Sequence, residues 1–199
     1  MNEKEIRNIE VELRAEDDNT IKGYAVVFDE EADLLDFTEI IKPGALDDCS
    51  LKDVFMTVNH DRSLLPIARS RNNTPNSTLY LEKDGHGLAF TARLDVENPR
   101  SAELYSAVRR GDVSGMSVAM VIPDDGDTWE YLNTKKPKRT IGKIEKIIEI
   151  SAVTNPAYKG TEVSCRSLDN ARQALESAEN AKKLEQMKAD IYKVLEAIK

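Results

Sequence analysis

The sequence predicts a mostly β, α+β protein: an antiparallel sandwich or barrel with few helices, followed by a helical C-terminal tail. Many short segments alternate apolar and polar residues between turn-forming residues, as half-buried strands do. Only one stretch before residue 168 has helical spacing, whereas residues 168–199 contain neither Gly nor Pro. With 199 residues and 40% apolar side chains, the chain can bury one sizeable core and still carry a tail.

Period-2 patterns define the predicted strands. The clearest is 88–94, in which every second residue is apolar. The segment 20–28 closes on an apolar run, and Gly23 within it predicts a bulge or a close backbone approach. In chain order the predicted strands span residues 9–13, 20–28, 37–41, 54–58, 64–68, 79–82, 88–94, 117–122 and 141–150.

Turn and cap residues define the remaining elements of the body. A helix is predicted at 98–110, because Pro99 suits a first turn, an apolar stripe follows, and Gly111 stands at the end. Residues 45–51 could form a short helix or a turn. A hairpin turn is predicted at 83–87 and a polar hairpin at 123–138.

Residues 168–199 are predicted to form an amphipathic helix with coiled-coil character. Apolar residues recur three and four apart from Leu168 to Ala178 and again from Leu184 to Ile198, with an interruption near Asn180. Such a helix would pack on the body or on a copy of itself, or it would serve as a detachable docking or targeting segment. The chain therefore divides into a body, 1–167, and a tail, 168–199.

Composition argues against several classes of function. The net charge of −8 offers no basic surface to phosphate backbones, so a nucleic-acid reader is not expected. The charged N-terminus lacks the apolar core of a signal peptide, and no apolar run is long enough to span a bilayer. Cys49 and Cys165 have neither metal-ligand spacing nor the density of a disulfide scaffold, so neither metal nor cofactor is expected. We therefore expect a soluble, intracellular protein that binds neither nucleic acid nor membrane.

A candidate nucleophile lies in the stretch Val-Ser-Gly-Met-Ser at 113–117, which is typical of a tight turn leading into a buried strand. Ser117 stands where the apolar run begins, so the fold could hold its hydroxyl rigidly. Ser114 is a rival, but it lies in the turn, where it should be less fixed. A nucleophilic serine needs a base within hydrogen-bond reach and a group that orients the base. Without them, Ser117 is simply a small residue that lets strands pack closely.

The chain has two histidines from which that base could come. His60 ends an apolar strand, where its ring can point into a cleft, although a lone histidine is often structural. His86 lies in a Gly-flanked turn and is expected to be exposed. Asp61 could assist His60, but adjacent side chains on a strand point to opposite faces. Glu149, which interrupts an isoleucine-rich run, is a better orienter; if its face of the sheet is open, it is merely solvated.

Six stretches, in order, carry a resemblance that periodicity does not supply. They are GYAVVFDE (23–30), EIIKPGAL (39–46), VNHD (58–61), GLAFTARLD (87–95), VRRGDVSGMSVAM (108–120) and EISAVTNPAYKGTEVSCRS (149–167). Over residues 9–167 the chain thus resembles the HK97-type phage prohead protease family, the capsid maturation proteases. One departure is SVAM after the glycine and methionine, where many members have an aromatic residue and a glycine following the serine.

The resemblance implies a serine endopeptidase of the herpesvirus-assemblin type, an antiparallel β-barrel with flanking helices, over residues 1–167. Carried over by motif, Ser117 is the nucleophile, His60 the base and Glu149 the third member of the site. The implied substrates are the major capsid protein, a scaffold segment and the protease itself, inside the procapsid in the host cytoplasm. No cofactor is implied. Self-association is expected, and the tail would dock to scaffold or capsid protein.

Two other classes of function remain open. The chain could keep this fold as a catalytically silent, scaffold-like assembly protein. It could also be a serine hydrolase of another specificity. Against the second class, the sequence has no G-x-S-x-G nucleophile elbow and no regular alternation of strands and helices.

Overall fold

The computed structural model describes residues 4–10, 13–34, 36–154 and 162–197, and these form a mostly β, α+β chain. The strands are β1 (Lys4–Glu10), β2 (Arg14–Glu16), β3 (Thr20–Val27), β4 (Glu31–Asp33), β5 (Thr38–Ile41), β6 (Phe55–Val58), β7 (Ala68–Arg69), β8 (Leu79–Lys83), β9 (Gly87–Arg93), β10 (Gly115–Val121), β11 (Asp127–Glu130), β12 (Lys138–Ile141) and β13 (Lys146–Val153). The helices are α1 (Pro99–Arg110) and α2 (Glu162–Ala197). The predicted fold class and C-terminal helix are therefore confirmed.

The described strands form three open sheets. Sheet A has the order β1-β10-β13-β6-β7, sheet B the order β2-β3-β9-β8, and sheet C the order β11-β12-β5-β4. Most pairs are antiparallel, but β13 pairs with β6 and β12 with β5 in parallel. Parallel neighbours need long connections, and both pairs join strands far apart in sequence. No closed barrel forms among the described strands, so the barrel part of the prediction is not confirmed.

Alternation predicted the strands well where one face is buried. In β9 the side chains of Leu88, Phe90 and Ala92 are 0%, 3% and 0% exposed. Gly87 opens this strand beside β3, where an added Cβ would lie 1.9 Å from the carbonyl oxygen of Val26. The sequence predicts a bulge or a close backbone approach at Gly23. The structure has a shift in the pairing register of β3 with β9 between Tyr24 and Val26, directly after Gly23.

Three strand predictions differ from the structure. The segment 64–68 is a strand only from Ala68, because Pro66 has no N–H to donate and the preceding leucines face solvent. The first strand lies at Lys4–Glu10 rather than 9–13. The predicted strand 141–150 divides between the end of β12 and β13, which extends to Val153.

The two helices have different surroundings. Asn98 caps α1 by accepting the Arg100 N–H at 3.1 Å, and Gly111 ends it in the left-handed region at φ 79°. Helix α2 begins at Glu162 and runs through the break predicted near Asn180. Its Leu168 is buried with Leu34 and Phe37, which lie in the connection between β4 and β5 of sheet C. Neither helix, over the residues described, has the length and apolarity needed to cross a membrane.

A buried ionic cluster joins sheets A and C. Arg7 of β1 contacts Glu5 at 2.5 Å and Glu39 of β5 at 2.7 Å. Arg139 of β12 contacts Glu5 at 2.6 Å and Asp127 at 2.5 Å. The Arg139 side chain is 1% exposed and Arg7 is 4% exposed, so each guanidinium depends on these carboxylates for its hydrogen bonds.

Replacing Arg139 by Gln is expected to lower the free energy of unfolding by about 3–5 kcal/mol, since it removes one of the two buried guanidinium groups that balance Glu5, Glu39 and Asp127. Urea denaturation measures this change. The control is Lys143→Gln, which breaks an exposed ion pair with Asp125 and should cost less than about 1 kcal/mol. Equal effects of the two substitutions would contradict the pairing of Arg139 inside the buried cluster.

Candidate active site

Ser117 lies on an inner strand of sheet A. Within β10 the side chains of Met116, Val118 and Met120 belong to the apolar core, so alternation turns Ser117 to the opposite face of the sheet. On that face Ser117 pairs across with Ser151 of β13. Ser117 is 0% exposed. A substrate carbonyl could therefore reach its hydroxyl only after a covering group moves.

His60 follows β6 in a turn of unusual backbone geometry. Asn59 and His60 have φ values of 50° and 58°, in the left-handed region, where Asn and His are tolerated better than most residues. Two bonds to β13 hold this turn: the His60 N–H donates to Ser151 Oγ at 2.9 Å, and the Asn59 N–H donates to Ala152 O at 2.9 Å. The Thr154 N–H also donates to the Asn59 side chain at 3.1 Å. These bonds offset the backbone strain and fix the ring position.

The structure brings Ser117, His60 and Glu149 into one hydrogen-bonded chain. His60 Nε2 lies 2.5 Å from Ser117 Oγ, and His60 Nδ1 lies 2.9 Å from Glu149 Oε1. The three side chains come from β10, the turn after β6, and β13, which lies between those two strands in sheet A.

The other candidates of the sequence lie elsewhere. Ser114 is exposed and precedes β10. Asp61 accepts hydrogen bonds from Ser63 rather than contacting the imidazole. His86 is exposed, and its ring packs edge-on against Tyr24.

Glu149 is a fully buried carboxylate surrounded by donors. Its Oε1 accepts from Thr57 Oγ1 at 2.5 Å as well as from His60. Its Oε2 accepts from Arg62 Nε at 2.6 Å and lies 3.5 Å from Lys4 Nζ. Burial raises the pKa of Glu149, but the hydrogen bonds from His60, Thr57 and Arg62 outweigh it and lower the pKa to about 2.

The ionised Glu149 carboxylate determines which nitrogen of His60 carries the proton. A carboxylate can only accept hydrogen bonds, so Nδ1 of His60 must be the donor. In the neutral ring, Nε2 then has a free lone pair directed at Ser117 Oγ. This is the tautomer that a general base for the hydroxyl requires.

The Ser117 hydroxyl has a second acceptor. It lies 2.8 Å from the carbonyl oxygen of Arg7 in β1, on the opposite side from β13. A hydroxyl carries one proton, so it donates either to Nε2 of His60 or to this carbonyl. When His60 is protonated, Nε2 becomes a donor and the Ser117 proton turns to Arg7. The Arg7 side chain lies in the buried ionic cluster, which fixes the position of this carbonyl.

Sequence reasoning missed the groups that surround the three side chains. Ser151 could have been found, because it stands two residues after Glu149 and alternation places both on one face. Thr57 contacts Glu149 only because β6 pairs with β13, which the sequence does not indicate. Arg62 and Lys4 carry no pattern that points to the site. Within the described residues, no three His, Cys, Asp or Glu side chains form a group that could hold a metal ion.

A family model described as caudovirus prohead serine protease matches residues 5–174. The chain belongs to this family. The match includes β1 and the first turns of α2, and so extends further at both ends than the resemblance over 9–167. No curated protein and no solved structure matches the chain. Family membership implies serine protease activity in phage capsid maturation, with capsid proteins as substrates.

The lowered pKa of Glu149 predicts an acid-sensitive contribution to stability. The pKa is about 2 in the folded state against 4.5 ordinarily, so the stabilisation is complete above pH 4.5 and is lost as the pH falls towards 2. The difference corresponds to about 3 kcal/mol at neutral pH. We expect the stability advantage of wild type over Glu149→Gln to fall by more than half between pH 6 and pH 3, measured by urea denaturation.

The control for this experiment is Glu97→Gln, which removes an exposed carboxylate. It should leave the pH dependence of unfolding close to that of the wild type. An advantage over Glu149→Gln that stays constant across this pH range would contradict an ionised, hydrogen-bonded Glu149.

Proposed function

We propose that this chain is a serine endopeptidase that cleaves the capsid-protein extension or scaffold segment, and itself, during procapsid maturation. Ser117 is the nucleophile, His60 the general base and Glu149 the group that orients His60. The observation that supports this proposal best is the continuous hydrogen-bond chain from Glu149 through His60 to Ser117, in a member of the prohead serine protease family.

The reaction follows from the roles of the three side chains. His60 Nε2 takes the Ser117 proton as Oγ attacks a peptide carbonyl, and then gives that proton to the leaving amine. A water hydrolyses the acyl-enzyme by the same route in reverse. Glu149 holds the Nδ1–H tautomer and stabilises the imidazolium that forms in each step. Arg62 and Thr57 hold Glu149 in its ionised form and in position.

The tetrahedral intermediate would need backbone N–H donors, each worth about 3 kcal/mol in such sites. The C-terminal end of α1, at Arg109-Arg110-Gly111, does not suit this role. The Gly111 N–H donates to Val108 O at 3.0 Å and closes helix α1.

The closed arrangement around Ser117 suits an enzyme that is inactive until it is assembled with its substrate. Ser117 is fully buried and its hydroxyl has a second acceptor in the Arg7 carbonyl. The same two observations favour the second candidate, a silent scaffold-like protein of this fold. The two functions differ in whether capsid protein loses mass when this chain is present.

The proposed organisation is a protease domain, 1–167, and a tail, 168–199, that directs packaging by binding a helical scaffold segment. The apolar Leu184 and Met187 of α2 are 53% and 61% exposed, which leaves them open to such a partner. Self-association of the chain is an alternative use of the same surface. The assemblin-type relationship is likewise proposed, from the resemblance alone.

Ser117→Ala should abolish trimming of the capsid protein that is the proposed substrate when the two proteins are co-expressed. No other group in this arrangement supplies the attacking oxygen. Glu149→Gln should slow trimming by about 10²–10⁴-fold, since it favours the wrong imidazole tautomer. Intact mass of the capsid protein, followed over time, measures both effects.

Ser114→Ala is the matched control, because it removes the exposed hydroxyl nearest in sequence. It should trim capsid protein as the wild type does. If wild type and all three variants leave identical full-length products, the scaffold-like function replaces the protease.

Ending the chain after Ala174 keeps Leu168 in its contact with the connection between β4 and β5 and removes the exposed part of α2. We expect this variant to fold but to be incorporated into procapsids several-fold less than the full chain, as quantified by mass spectrometry of purified procapsids. The double substitution Leu184→Gln and Met187→Gln should have the same effect, and Lys183→Gln should have none. Unchanged incorporation of the shortened chain would exclude the packaging role.

A further inference from the structure

A cavity of about 340 Å³ lies beside His60, between α1 and the loop that connects β6 to β7. The loop contributes the residues on either side of His60, and α1 contributes four residues from one face. Its lining residues are Val58, Asn59, Asp61, Leu64, Ile67, Arg100, Glu103, Leu104, Ala107, Val113 and Thr154. The cavity is therefore continuous with the turn that carries the candidate base.

The chemistry of the lining favours an apolar occupant. Leu104 and Val113 are buried, and Val58 and Ile67 are partly buried, so carbon atoms form the floor. Two of the charged groups at the rim are engaged within the protein. The Asp61 carboxylate accepts two hydrogen bonds from Ser63. The Arg100 guanidinium donates to the Leu65 carbonyl at 2.9 Å.

The same loop exposes apolar side chains next to the cavity. Leu64, at the mouth, is 47% exposed and Leu65 is 82% exposed. The hydrogen bond from Arg100 connects this loop to α1 and so holds the two walls of the cavity together. Adjacent exposed leucines beside a preformed apolar cavity are typical of a recognition surface.

We propose that this cavity is a substrate subsite, which receives an apolar side chain of leucine or phenylalanine size close to the scissile bond. The inference rests on the proposed protease function and adds its specificity. The lining includes Asn59 and Asp61, on either side of His60, and Thr154, which follows the strand that carries Glu149, so a side chain in the cavity would lie next to the candidate base. Ala107 and Leu64 determine which side chains fit.

The test uses the full chain and peptides that span the site at which the wild type trims capsid protein. Each position near the scissile bond is varied among Ala, Leu and Phe, and kcat/KM is measured. The wild type should prefer Leu or Phe to Ala by at least tenfold at one position, since each methylene in such a pocket counts for about tenfold or more. Ala107→Leu fills the cavity and should reverse that preference. Ala102→Leu, on α1 but outside the lining, should keep the wild-type profile.

A second variant covers the case in which Ala107→Leu does not fold. Leu64→Ala, at the exposed mouth, should reduce the preference for the Leu and Phe peptides over the Ala peptide about tenfold in kcat/KM. If both variants cleave the peptides with the rates and the residue preferences of the wild type, the subsite proposal is wrong while the protease function stands. If the wild type cleaves neither peptide nor capsid protein, the protease function and the subsite fail together.

Discussion

The burial of one carboxylate, Glu149, constrains the whole candidate site. A charge with no exposed surface must be matched by donors, and the chain supplies them from three separate elements. Lys4 comes from the N-terminal strand, Thr57 from β6, and His60 and Arg62 from the turn and loop after it. Because all four groups meet at Glu149, the position of the imidazole depends on the pairing of β13 with β6. Any shift in that pairing would move the ring away from Ser117.

The N-terminal strand connects the site to the ionic cluster between sheets A and C. The side chain of Arg7 is held by Glu5 and Glu39, while its backbone carbonyl lies 2.8 Å from Ser117 Oγ as the second possible acceptor of the hydroxyl proton. Burying such charges costs free energy, which their pairing offsets, so the cluster adds little net stability. Because each charge must keep its partner, the cluster permits only one arrangement of β1. The second acceptor of the Ser117 hydroxyl is thus a fixed part of the fold.

The backbone strain at His60 is likewise balanced by contacts with β13. Two successive non-glycine residues in the left-handed region cost roughly 1–3 kcal/mol each, and Asn59 and His60 adopt it together. The hydrogen bonds to Ser151, Ala152 and Thr154, at the end of β13, offset this strain energy. The loop that follows is thereby directed towards α1, where it encloses the apolar cavity. The geometry of the base and the shape of the adjoining surface are consequences of one turn.

The sequence by itself determined the local features of this protein. Alternation identified most strands, because a strand with one buried face must repeat every two residues, and the caps at Asn98 and Gly111 identified α1. The ordered motifs identified the family and its three candidate residues, Ser117, His60 and Glu149.

Only the tertiary structure decided how the strands are arranged and what surrounds these residues. Period-2 patterns tell which face a residue occupies but not which strand lies beside it, so the open sheets and the parallel pairs could not be predicted. The contacts of Thr57, Arg62 and Lys4 with Glu149 arise from those pairings between distant segments. A side chain's partners across a sheet are set by the burial and hydrogen bonding of the whole chain, and local sequence does not encode them.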